Sequence, residues 1–214
     1  MVERQPLSGS GLQLLPGGLA VALGKDGSAY LLDRTALGGL GGQRALAKVS
    51  SGPIIGAPAT LALPGGGALV VFKGAPDSAF GCTGDLTAIK VAAGSPPQIS
   101  FAWCANQHGL GSPMITTTDG SSEALVWSLG SENDSRLRAF DAATGAVVFG
   151  GGGVAEKMNS LRRFITPIAA RGRSYVAGDG KVYAFKDELK QAPGRSGRRA
   201  TRVTLPRSGS PLLA

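Results

Sequence analysis

Few side chains in this sequence carry the chemistry to act on a substrate, and their spacing limits what they could do. Histidine occurs once, as His108, and cysteine twice, as Cys82 and Cys104. Two thiols and one imidazole do not make a four-ligand zinc site. A Ser-His-Asp triad would have to use His108, but there is no G-x-S-x-G elbow, and serine pairs such as Ser121-Ser122 are ordinary turn chemistry. His108 sits in Asn106-Gln107-His108-Gly109, a loop-forming stretch ahead of an apolar strand. It is a candidate binding-loop residue, and a histidine satisfied within its own loop is the competing reading. The glycine runs at 38–42 and 150–153 neither open a helix nor carry a Walker lysine, so they read as connections rather than phosphate cradles. The acids Asp77, Asp85, Asp119, Glu123, Glu132 and Asp134 are scattered. Glu132-Asn133-Asp134 is a fragment of calcium-loop lettering without the twelve-residue pattern. No residue is assigned a catalytic role.

The elements that would position these groups are short strands. Residues 133–150, NDSRLRAFDAATGAVVFG, divide into a turn, an alternating strand at 136–141, a second turn at 142–145 and an apolar strand at 146–149. Alternation broken by turn residues is the mark of adjacent antiparallel strands. The pattern recurs. Segments 29–33, 86–90, 137–141 and 182–186 share one form, and each follows an apolar strand, at 19–24, 68–73, 124–129 and 173–178. Asp26-Gly27 and Asp179-Gly180 join the first and last of these pairs by tight turns that need positive φ. A third strand precedes the last three pairs, at 53–63, 112–118 and 164–170. Each of these carries a proline, Pro58, Pro113 or Pro167, which suits a strand start or an exposed edge. A four-stranded unit of about 45 residues repeating around an axis is a propeller blade. No amphipathic helix is expected; residues 155–163 read as a loop with at most one helical turn. Trp103 and Trp127 could stack a cofactor, but both fall in apolar strands, where core packing is the default.

Ala139, Asp141, Gly145 and Phe149 fit A-x-D-x-x-x-G-x-x-x-W with Phe in place of Trp. This resembles the tryptophan-docking motif of pyrroloquinoline-quinone-type β-propeller repeats, in which an aromatic ring staples neighbouring blades. In the second copy Ala88 and Gly94 match, while Lys90 and Gln98 stand in for the acid and the ring; the first copy keeps Asp33 and the last Ala184. Longer blocks, at 24–39, 102–120 and 164–185, resemble a bacterial, usually exported subfamily of such propellers. The resemblance implies an all-β fold of four-stranded antiparallel blades. About three to four blades are present, an incomplete ring and so a C-terminal piece of a longer propeller. It implies a periplasmic or secreted parent. An even cysteine count in an export-like family favours a Cys82–Cys104 disulfide over two buried free thiols. Propeller ligands bind at loops near the axis, which is the resemblance's support for His108.

Composition agrees with a packed core: 43% of residues are hydrophobic and 17% charged, so global disorder is not expected. Glycine, 34 of 214 residues, is about twice its average usage, as many tight turns require. No apolar run approaches the roughly 20 residues of a membrane helix. The opening MVERQPLSGSG lacks a basic-then-apolar signal peptide, so either the compartment is cytosolic or this is not the original start. The net charge of +8 invites a nucleic-acid reading, but residues 186–214 hold seven Lys/Arg against two acids. Most of the excess lies in a Gly/Pro/Arg-rich end that reads as solvated tail rather than nucleic-acid arm. The expected organisation is an arm at 1–10, blades at 11–186 and a disordered basic tail at 187–214. The expected function is a non-catalytic binding or scaffold module without cofactor, with a protein or carbohydrate ligand. Its open ends would be covered by further blades or a second copy. The alternative is a fragment of a quinone-dependent oxidoreductase whose pyrroloquinoline quinone and calcium bind on blades outside this chain.

Overall fold

The computed structural model describes residues 10–39, 41–187 and 200–205. These form four antiparallel sheets of four strands each, and in every sheet the strands follow one another in chain order. Blade 1 holds β1 (Gln13–Leu14), β2 (Leu19–Leu23), β3 (Ser28–Asp33) and β4 (Ala45–Lys48). Blade 2 holds β5 (Ala59–Ala62), β6 (Ala68–Lys73), β7 (Leu86–Ala92) and β8 (Gln98–Ala105). Blade 3 holds β9 (Met114–Thr116), β10 (Leu125–Leu129), β11 (Leu137–Asp141) and β12 (Val147–Phe149). Blade 4 holds β13 (Ile168–Ala170), β14 (Arg173–Gly178), β15 (Lys181–Asp187) and β16 (Ala200–Leu205). The chain is an all-β propeller arc of four blades whose ring is not closed. Among the described residues the only helical element is the 3-10 turn Ser78–Phe80, capped by the Asp77 carboxylate; 155–163 is loop.

Three apolar seams join the blades. Val21, Leu23 and Leu31 of blade 1 pack with Val70, Phe72 and Ile89 of blade 2. Leu69, Ala88 and Trp103 on the other face of blade 2 pack with Val126 and Phe140 of blade 3. Trp127, Leu129, Leu137 and Phe149 pack with Val176, Tyr183 and Phe185 of blade 4. The sequence pattern of each second strand follows from its place between seams. In β6 and β10 both faces meet a neighbour, and the segments ALVVFK and LVWSL are almost continuously buried. In β14, RSYVAG alternates because only one face of blade 4 is packed. The free outer faces expose Leu14 (61%) and Leu46 (52%) on blade 1, and Ile168 (67%) and Val182 (44%) on blade 4.

The residue at the second position of each repeated segment, 29–33, 86–90, 137–141 and 182–186, hydrogen-bonds to a turn or loop, which in the first three blades is the one preceding its strand. The Tyr30 hydroxyl donates to Asp26 at 2.6 Å, Thr87 donates to the Gly74 carbonyl at 2.7 Å, and Arg138 donates to Asp134. In blade 4 the Tyr183 hydroxyl accepts from the Asn159 amide at 3.0 Å. The chemistry differs from blade to blade while the connection is kept, which is why periodicity rather than residue identity reveals the repeat.

One expectation needs correction. Residues 200–205, assigned to a disordered tail, form β16 and pair with β15 from Val182↔Leu205 to Asp187↔Ala200. The backbone ladder along β15 supplies partners for their peptide groups. The rest of that tail, at 188–199 and 206–214, and the arm at 1–9 lie outside the described residues. The short strands β1 and β4 were also unread, being too brief to show a period.

Candidate functional site

The seam between blades 2 and 3 brings Cys104, His108 and Gly145 of the sequence-predicted residues to one groove. After β11 the chain turns through 142–145. The Asp141 carboxylate shapes this turn, accepting from the Ala143 and Thr144 amides at 3.1 and 2.9 Å and from the Thr144 hydroxyl at 2.8 Å. Gly145 adopts φ +74°, and a Cβ there would stand 2.7 Å from two carbons of the Trp103 ring. Trp103 is therefore laid flat on this turn, and its indole N–H donates to the buried Ala142 carbonyl at 2.9 Å. Ala139 lies opposite Phe149, whose ring is buried in the next seam against blade 4.

The docking ring of blade 2 is thus Trp103, not the position occupied by Gln98. Trp103 pairs with Ala88 as Phe149 pairs with Ala139, but it lies 15 residues downstream of its alanine instead of 10. The longer hairpin through residues 93–97 hides the motif from a fixed-spacing reading. Strand register is the signal that finds it. Gln98 itself is exposed at the far end of β8.

Beside this turn the 106–112 loop is clamped by polar side chains. The Asp85 carboxylate accepts from the Gln107 amide at 2.7 Å and the Gly109 amide at 3.1 Å, and so holds both sides of His108. The buried Gln107 side chain donates to the carbonyls of Gly109 and Gly111. Gly109 is required because a Cβ there would lie 2.4 Å from the Gly130 carbonyl carbon. Arg138, 8% exposed, donates to the Gln107 carbonyl at 2.9 Å and forms an ion pair with Asp134. Burial pushes the Asp134 carboxyl up, but the Arg138 hydrogen bond and charge outweigh it and hold the group below the usual carboxylate range. Four buried oxygens without a protein partner, Gln107 Oε1 and the hydroxyls of Ser112, Ser128 and Ser131, lie in this loop or on the strand end it packs against.

The result is a groove of about 530 Å³ lined by Cys104, Asn106 and His108 together with Arg138, Val147 and Gly150 of blade 3 and the connection that follows it. His108 stands at its rim, exposed, at φ +59°. Cys82 and Cys104 are disulfide-bonded, with Cα atoms 6.3 Å apart. Among the described residues no group of three His, Cys, Asp or Glu side chains could hold a metal ion. Both indole N–H groups are engaged inside seams, Trp103 with Ala142 and Trp127 with the Thr116 hydroxyl at 2.8 Å, and both rings are almost fully buried. The two indoles thus serve as packing elements of the second and third seams.

No family model matches the chain, and no curated protein matches it. Among solved structures it is similar to the crystal structure of BamB from Moraxella catarrhalis, at 15% identity and a TM-score of 0.48, over 92% of this chain and 50% of that one. The chain spans about half the length of that structure. The blade assignment rests on this chain's own strand order and seams. Among the described residues no helix is long and apolar enough to cross a membrane.

Proposed function

We propose that this chain is a non-catalytic β-propeller binding or scaffold module of an exported protein, and that the groove beside His108 is where it meets a protein or carbohydrate ligand. One observation carries the reading: the charged and amide side chains around the groove are engaged in fixing backbone. Asp85 holds two amides, Gln107 bridges two carbonyls, and Arg138 is tied to Asp134 and the Gln107 carbonyl. What faces outward is His108, Asn106 and Val147, a small mixed surface suited to recognition; Val147 is 64% exposed. No base is held within reach of a nucleophile there, as acyl-transfer or hydrolytic chemistry needs. The apolar outer faces of blades 1 and 4 fit burial against further blades or a second copy, because they repeat the faces that pack in the three internal seams.

The test separates this reading from the quinone-dependent oxidoreductase. Purified chain titrated with pyrroloquinoline quinone and calcium should show no saturable absorbance change. A stoichiometric titration with a micromolar midpoint would overturn the proposal and assign cofactor binding to these blades.

A further inference from the structure

Two of the three seams carry an aromatic ring from the outer strand of the leading blade, Trp103 in one and Phe149 in the other. The matching position in blade 1 is Ala45, opposite Leu31. A methyl group leaves the outer rim of the first seam without a ring. The ring is supplied from elsewhere: Phe80, on the connection between β6 and β7, packs into that seam, as do Ala45, Ala47 and Ile99. It stacks on Phe101 of β8 with centroids 4.6 Å apart.

The connection is fastened at its base and at its tip. At the base, the Ser50 hydroxyl donates to the Ala75 carbonyl at 2.7 Å, and the Asp77 amide donates to the Val49 carbonyl at 3.2 Å. At the tip, Cys82 is bonded to Cys104 of β8. Between them Ser78, Ala79, Gly81 and Thr83 are exposed, and both cysteines are only half-buried.

We infer that segment 77–84 is a disulfide-held latch that inserts Phe80 as the missing ring of the first seam, so that the redox state of Cys82–Cys104 sets how tightly blades 1 and 2 close at their outer rim. In the opening step a dithiol reductant attacks one sulfur and forms a mixed disulfide. It is then oxidised to its own disulfide, leaving Cys82 and Cys104 as two thiols. The hydrogen bonds at the base of the connection remain, but its tip is released, the Phe80 ring is then held by stacking and apolar contact alone, and the rim between β4 and β8 loosens. The third seam keeps its ring, Phe149, on β12, away from β8, and does not respond.

Hydrogen exchange on the full chain, oxidised and after dithiothreitol, tests this. On reduction, amides of β4 and β8 that pair with β3 and β7 should exchange at least about tenfold faster, while those of β10 and β11 hold their rates. Cys82→Ser should reproduce the reduced pattern without reductant. Phe80→Ala, with the disulfide intact, should also speed β4 and β8 exchange, because the ring and not the bond fills the seam. Equal acceleration in all four sheets would make the disulfide a general stabiliser and overturn the latch, as would unchanged β4 and β8 rates on reduction. Unchanged rates in Phe80→Ala would overturn the role of the ring.

Discussion

Replacing Trp103 by Phe tests the packing that joins blades 2 and 3. The phenyl ring keeps most of the apolar contact but loses the N–H that donates to the Ala142 carbonyl at 2.9 Å. Ala142 is 2% exposed, so water has little access to replace the bond. A buried acceptor left without its donor costs about 1–3 kcal/mol, and the smaller ring leaves a void beside Gly145. The expected loss is about 2 kcal/mol, or roughly 4–8 °C in a chain of this length. Gly145→Ala attacks the same contact from the other side. A left-handed non-glycine residue costs about 1–2 kcal/mol, and the added Cβ, 2.7 Å from two ring carbons, forces the indole off the turn. Because both changes undo one docking contact, the double variant should lose less than the sum, by at least about 0.5 kcal/mol. Urea unfolding followed by circular dichroism, which does not depend on the replaced fluorophore, measures all three. Strict additivity, or a Trp103→Phe loss below about 0.5 kcal/mol, would refute the idea that the indole hydrogen bond is what staples the blades.

Arg138→Gln should remove the partner of Asp134 and lower stability at neutral pH by about 1 kcal/mol, a modest figure because Asp134 is partly exposed. The Asp134 carboxyl is depressed in the folded chain, so its stabilisation is complete above the unfolded value near pH 4 and is lost as pH falls through the folded value. The variant should therefore show a flatter stability curve below about pH 4 than the parent, as followed by thermal unfolding across pH. Deleting residues 190–214 removes β16 and strips β15 of the pairing that runs from Val182 to Asp187. A midpoint drop of several degrees, roughly 1 kcal/mol or more, is expected in a thermal scan, and a drop of under about two degrees would show that the edge ladder contributes little.

Secondary structure and the repeat were legible in the sequence because both rest on local regularities. The strands expected at 68–73 and 173–178 match β6 and β14 to the residue, and the alternating strand expected at 136–141 is β11, one residue shorter. The Asp-Gly pairs mark turns that demand positive φ, as Gly27 and Gly180 adopt. What escaped local reading depended on pairing. In the tail only Val203-Thr204-Leu205 reads as a strand, flanked by Arg202 and Pro206, and pairing with β15 extends it to Ala200–Leu205. Trp103 was placed in the core by composition, but only register against Ala88 across a lengthened hairpin shows it to be the ring that docks on Gly145.

The sequence by itself determined the class of fold, the number of strands per blade and the two cysteines available to pair, since hydrophobic period, turn residues and cysteine count are properties of short stretches. Only the tertiary structure decided which groups share a site. Asp85, Gln107, Asp134 and Arg138 are up to 53 positions apart in the chain, and no spacing rule links them. They converge because two blades meet at a seam whose backbone comes within van der Waals distance at Gly109 and Gly130, leaving polar side chains as the means to satisfy the buried peptide groups around His108.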